Sequence, residues 1–302
     1  MICVAGSAIL FASKGLFGKA LYQRGVGFEL LVMVRAVMAV PLFAWFAMRA
    51  NAPSRSDTAA GEIPPMRSRA ILAAAVAGIT CYYVGAMLDF WALMLIDASI
   101  ERVLLFSYPA IVVLIGSMLT RRAPEARVVA AMIVTYVGIF FAMGGIDFAE
   151  LRQNLFGALL VLVAALTTAI YFLIGERYTH ELGSTRFAAI SMGASAVMLV
   201  LHFVTFRSFD EFRTLEAYDW VLLVILGTLC MFIPGLLQAE GMRRVGAQRA
   251  AIGSTIGPPT TILLAAIFLD ERLNAWQLLG SAMIVGSILV LSWPKRAVAA
   301  SP

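Results

Sequence analysis

Ten apolar runs, each close to the length of one membrane crossing, fill almost all of this 302-residue chain. They cover approximately 2–22, 28–48, 70–94, 98–119, 127–145, 155–175, 184–206, 219–239, 247–269 and 275–293. A helix needs about 20 residues to cross the ~30 Å hydrocarbon core of a bilayer. In lipid every backbone N–H and C=O must find its partner within the protein, so runs of this length fold as helices. Composition agrees: hydrophobic residues make up 61% and charged residues 14%, with a mean hydropathy of +0.89. A soluble domain would carry roughly 25% charge. The fold class expected is an all-α polytopic membrane protein. The first run begins at Met1 with no separate basic segment and no small-residue cleavage site, so it reads as a retained first span.

The two halves match each other at a constant offset. Adding 149 to the stretch 70–117 takes Gly78 to Gly227, Cys81 to Cys230, Asp89 to Gln238, Ala98 to Ala247 and Pro109 to Pro258. At an offset of 148, Gly138 pairs with Gly286; at 151, Arg35 pairs with Arg186. Internal duplication of a strongly apolar chain is the mark of secondary transporters built from structural repeats. The division expected is 1–147 and 148–302, five spans in each half. An odd number of spans per half forces the second half into the membrane upside down. The reading is therefore ten transmembrane helices in two inverted five-helix repeats, with a site near the midplane at their interface.

Basic residues set the orientation. With the N-terminus inside, the inner loops hold twelve Lys and Arg residues, among them Arg49, Arg55, Arg67, Arg69, Arg121, Arg122, Arg243 and Arg244. The outer loops hold five: Arg24, Arg152, Arg207, Arg213 and Arg272. This bias places both termini in the cytoplasm of a cell with an inner, plasma membrane. It also accounts for the net charge of +5 without nucleic acid.

The family resemblance rests on SYPAIVVL at 107–114, GPPTTILL at 257–264 and LDERL at 269–273, together with Lys14 in the first span and Arg35 in the second. Each half closes with a Pro-containing fourth span and a Gly-containing fifth. In these features the whole chain resembles the EamA type of the drug/metabolite transporter superfamily. The resemblance implies transport, with export the expected direction, of small organic solutes such as amino acids or related metabolites.

Ionisable groups inside apolar runs are costly and point to function. Lys14 stands near the middle of the first span, with Ser7 and Gly18 on its face. Its readings are a substrate or proton site, or half of a structural ion pair. Arg35 lies about 10 Å deep at a rise of 1.5 Å per residue, and its planar fork suits a carboxylate or phosphate. Asp89 is read either as a proton carrier facing a cavity or as a static partner of Lys14 or Lys19; Gln238 is its repeat mate. Tyr82, Trp91 and Tyr108, with Phe11, Tyr83 and Phe106, are candidate walls of a mixed polar and apolar site, or packing. Glu101 and Arg102 read as head-group residues, and His202 as an isolated side chain. Pro109, Pro258 and Pro259 are candidate kinks that let the fourth and ninth spans gate the site.

The chain has no HExxH, GxSxG, Walker A or dinucleotide pattern, so neither an enzyme nor a cofactor is expected. Cys3, Cys81 and Cys230 show no metal or disulfide spacing and read as buried hydrophobes. The expected partners are a small-molecule solute, lipid and coupling protons. The alternatives are a lipid-handling or lipid-flipping protein and a non-transporting scaffold; a cavity lined by Lys14 and Asp89 separates them from transport.

Overall fold

The computed structural model describes residues 1–50, 68–92, 94–96, 101, 104–142, 155–268 and 274–292. Within its helices the side chains at 14–16, 19, 50, 261, 264–268 and 292 also lie outside the described residues. What is described is helical, with no strand. In chain order the helices are α1 (Ile2–Gln23), α2 (Phe28–Ala50), α3 (Ser68–Gly78), α4 (Ala86–Ala92), α5 (Tyr108–Thr120), α6 (Ala126–Ala142), α7 (Leu155–Leu182) and α8 (Ser184–Phe206). They continue with α9 (Ala217–Gly227), α10 (Ile233–Val245), α11 (Ala247–Gly253), α12 (Gly257–Phe268) and α13 (Ala275–Ser292).

Among the described residues, five stretches are long and apolar enough to cross a membrane: Phe28–Arg49, Ser68–Ala92, Leu155–Leu182, Ser184–Phe206 and Ala217–Val245. Shorter apolar helices cover Ile2–Ser13, Tyr108–Thr120, Ala126–Ala142 and Ala275–Leu291. The molecule is an all-α polytopic membrane protein. α7 illustrates why such helices show no amphipathic stripe: both faces are apolar. Small residues mark the packed side, alongside the buried Val161, Tyr171 and Phe172. Leu155, Phe156, Leu159 and Leu162 point outward, whereas Gly157, Ala158, Ala164 and Ala165 are buried. Outside water, helices associate by close van der Waals packing, and small residues permit it.

Two glycines at the same place in the sequence repeat, Gly78 and Gly227, each sit at a close helix crossing. A Cβ on Gly78 would stand 2.0 Å from the carbonyl oxygen of Ser191, so α3 crosses α8 backbone to backbone. A Cβ on Gly227 would stand 2.8 Å from Met38 Cβ and 3.0 Å from the Arg35 carbonyl oxygen, where α9 crosses α2. Directly after each glycine the chain widens into a π-helical stretch, Ile79–Gly85 between α3 and α4 and Thr228–Phe232 between α9 and α10.

The packing repeats as the sequence does. α1 packs on α10 and α12; its counterpart α7 packs on α4 and α5. α2 packs on α9, and its counterpart α8 on α3. The pairs α2–α8 and α6–α13 pack on each other. In the second of these, Thr135 and Ser287 share a hydrogen bond of 2.7 Å in the buried interface.

The proline positions correct one expectation. The fourth apolar run is not one kinked helix: Phe106 and Ser107 form a turn, and Pro109 sits in the first turn of α5. There its missing N–H costs nothing, because first-turn N–H groups lack helical partners anyway. The Tyr136 hydroxyl closes the break. It donates to the Phe106 carbonyl at 2.9 Å and accepts from the Ala110 N–H at 3.1 Å. In the ninth run, α11 tightens through a 3₁₀ turn, Ser254–Ile256, before Pro258 and Pro259 open α12. Gly253 and Gly257 face α1, near Val4 and Ala8, as their spacing suggests.

Ion pairs tie the helix ends. At one end Arg24 binds Asp219 and, at 2.6 Å, Glu216, while Arg207 binds Glu29. These hydrogen-bonded carboxylates hold both guanidiniums above their ordinary pKa, Arg24 chiefly through Asp219 and Arg207 through Glu29. At the other end Glu240 takes Arg243 at 2.8 Å, Arg244 at 2.5 Å and Ser184 at 2.6 Å.

Candidate functional site: a cavity shared by both halves

A cavity of about 180 Å³ lies where the interrupted helices meet. From the first half come Ala8, Phe11 and Ala12 of α1, Arg35 of α2, Cys81, Tyr82 and Gly85 of the π stretch, and Ala86, Asp89 and Phe90 of α4. Leu105, Phe106 and Tyr108 at the start of α5 complete that side. The second half supplies Ala164, Thr168 and Phe172 of α7, Cys230 and Met231 of the other π stretch, Gln238 of α10, and Ser254 and Gly257 at the head of α12. Both π stretches and both proline breaks thus contribute to the wall. A π turn widens the helix locally and often marks a functional position.

The wall is mostly apolar, with a few polar groups that lack partners. Asp89 is 8% exposed, and its Oδ1 has no hydrogen bond among the described residues. The Arg35 Nε is buried and equally unpaired, with the guanidinium carbon 5.2 Å from the Phe90 ring centre. The Tyr82 hydroxyl is also buried without a hydrogen bond, its ring edge-on to Tyr171 at 5.0 Å. Buried polar groups are normally satisfied, so an orphan asks for an explanation. Three such groups, Asp89, Arg35 and Tyr82, converge on one cavity. Tyr108 is by contrast fixed, stacked on Phe172 at 5.5 Å with its hydroxyl donating to the Ala251 carbonyl at 3.4 Å.

Of the residues singled out in the sequence, the cavity brings together Arg35, Asp89, Tyr82, Tyr108, Gln238, Phe11 and Phe106. Asp89 and Gln238, equivalent in the two halves, both line it. Lys14 and Lys19 lie on α1, but their side chains are outside the described residues, as is Arg102. Trp91 does not belong to the site: it is 46% exposed and packs on Phe156 at 5.6 Å. Asp89 and Trp91 are two residues apart, about 200° around a helix, so they cannot share a face. Tyr83 also points elsewhere, its hydroxyl 3.1 Å from His202 Nδ1, and His202 is therefore not isolated. Glu101 is buried, 2% exposed.

Cys81, Cys230, Thr168, Ser254, Met231 and Phe172 were missed by sequence reasoning. The thiols carried a signal, their recurrence at the repeat offset, but were read as packing. Cys230 Sγ lies 3.3 Å from Ser13 Oγ. Among the described residues no group of His, Cys, Asp and Glu has the arrangement of a metal site.

Known proteins resemble this chain in sequence and in fold. The model of the EamA-like transporter family matches it twice, over residues 1–144 and 155–293. The uncharacterized transporter YcbK of Bacillus subtilis is 30% identical over 275 residues, which cover 90% of this chain and 86% of that one. An uncharacterized transporter of Archaeoglobus fulgidus is 24% identical, over 64% of this chain and 67% of its own length. A solved crystal structure superposes with a TM-score of 0.73 at 18% identity, covering 96% of this chain and 95% of the other, and so shares the fold. The chain belongs to the EamA-like transporter family, within the drug/metabolite transporter superfamily, and is an integral membrane protein.

Proposed function

We propose that the protein is a secondary transporter, working as an exporter, of small organic solutes such as amino acids or related metabolites. It moves them by alternating access across the plasma membrane. The observation that carries this reading is the shared cavity: interrupted helices of both halves wall a space lined by Arg35, Asp89 and Tyr82, each with a buried polar atom that has no hydrogen bond among the described residues. Sites of this kind, built on broken helices at a repeat interface, are where secondary transporters hold their cargo. Its volume is below the roughly 300–1,000 Å³ of pockets that take drug-sized ligands, which favours a small metabolite.

In this reading the chain has ten spans in two inverted repeats, 1–147 and 148–302, with both termini cytoplasmic. The recurrence of the packing pattern and the double family match support the repeat; the distribution of Arg supports the orientation. In this reading a proton gradient drives the flux. The test is a panel of radiolabelled metabolites in proteoliposomes, with and without a pH gradient. Saturable flux that responds to the gradient is expected; absence of flux for every solute, with correctly folded protein, overturns the reading.

A further inference from the structure

We propose that α10 and α11, residues 233–253, form a flap that opens the shared cavity toward the face carrying Glu240, and that Gly116, Gly175 and Ser184 are the seat on which it closes. The inference rests on the alternating-access reading and names the part that moves at one face.

The segment leaves the cavity and returns to it. Gln238 on α10 and Ser254 just past α11 both line the wall. Between them the chain turns at Gly246, whose φ of +81° favours glycine. Both roots of the segment are irregular. The π stretch Thr228–Phe232 and then Pro234 lead into α10, and the 3₁₀ turn Ser254–Ile256 follows α11. Such interruptions of a helical run are where helices bend, and a short 3₁₀ stretch often marks a hinge. Two regular helices between two weak points can swing as one piece.

The tip of the segment rests on both halves. On the second half, the Ser184 hydroxyl donates to Glu240 at 2.6 Å. The Met242 sulfur lies 2.7 Å from where a Cβ on Gly175 would stand, and the Glu176 carboxylate lies 2.7 Å from where one on Gly246 would stand. On the first half, Gln248 Nε2 lies 3.2 Å from where a Cβ on Gly116 would stand, and Arg249 pairs with Glu125 at 3.4 Å. Glycine is therefore the seat at two points, because a side chain at 116 or 175 would hold the flap off. The Arg249 and Glu125 side chains are 38% and 45% exposed, and an ion pair in that setting contributes little. A flap held this way covers the seam between the halves and still parts readily. Tyr108, a cavity residue of the first half, donates its hydroxyl to the Ala251 carbonyl of α11 at 3.4 Å. A solute that displaces Tyr108 thereby loosens the flap.

The experiment locks the flap and needs no solute. In the full chain carrying Cys3→Ser, Gly116→Cys and Gln248→Cys are combined and oxidised with copper phenanthroline in oriented vesicles. Cys81 and Cys230 on the cavity wall are then labelled from one face at a time with 2-sulfonatoethyl methanethiosulfonate and read by mass spectrometry. The new disulfide should form. It should cut labelling from the Glu240 face by at least about tenfold, as trapping one of two conformers requires, and leave labelling from the opposite face in place. Reduction before labelling should restore both, and each single-cysteine variant, oxidised alike, should match the parent. Arg249→Gln, a change at the surface, should raise labelling from the Glu240 face by up to about fivefold, the worth of one exposed ion pair. Failure of the disulfide to form contradicts the seat. A formed disulfide that leaves labelling from the Glu240 face unchanged, or that lowers labelling from both faces alike, overturns the flap; so does a fall in labelling of Arg249→Gln. Parent thiols that never label from the Glu240 face instead remove the alternating-access reading on which the inference stands.

Discussion

At the scale of single residues, the site was legible wherever a polar group interrupts an apolar run. Arg35, Asp89 and Gln238 announce themselves by cost alone, because lipid-buried polar groups persist only where something uses them. Aromatics carry no such cost, and their assignment depends on helix phase; residue type alone misplaced Trp91, which faces outward. Thiols hide for the same reason, being small and apolar by composition. Lys14 stands three residues beyond Phe11 on the helix that lines the cavity. Lys14→Ala should abolish uptake into proteoliposomes while leaving the detergent-solubilised protein monodisperse; full transport by the variant removes Lys14 from the site. Tyr136→Phe should act through stability instead. It leaves the Phe106 carbonyl and Ala110 N–H without their partner, a loss of about 1–3 kcal/mol. A melting temperature in detergent equal to wild type would contradict that account.

At the scale of elements, the breaks at Pro109 and Pro258 were readable, because proline has no N–H and collides with the preceding turn. Their form was not. The sequence suggests kinks within continuous helices, whereas the chain starts new helices there and lets Tyr136 satisfy the backbone of the first break. The π stretches were illegible, since a run apolar on all sides gives no phase from which an extra residue per turn can be noticed. The crossings before them supply a sharp test. Gly78→Ala would drive a Cβ into the Ser191 carbonyl, and Gly227→Ala one into Met38 and Arg35. Each should cost roughly 1–3 kcal/mol or more. Gly18→Ala, with no described atom within 4 Å, should be tolerated. Equal melting temperatures for the three variants would refute this packing. If the broken ends of α5 and α12 move as gates, Pro109→Ala and Pro258→Ala should slow transport more than they weaken binding to purified protein. Unchanged rates in both variants would rule that role out.

At the scale of the whole molecule, the duplication was the clearest thing in the sequence, held in register by Gly78, Cys81 and Pro109 and their mates. In the packing, α1 lies against α10 and α12, and α7 lies against α4 and α5. The length of each span was less readable: hydropathy marks ten runs, while interruption by turns shortens some of the helices. The account's central claim is that one cavity, shared by the halves, opens to each side of the membrane in turn. Nature has placed a reporter on either half of it, since Cys81 and Cys230 both line the wall. With Cys3→Ser to remove the third thiol, a small membrane-impermeant methanethiosulfonate can be applied to one face of oriented vesicles at a time. Alternating access predicts that both thiols react from either face, and that transported solute protects them. Labelling from a single face, or none, in vesicles that still transport would contradict the claim.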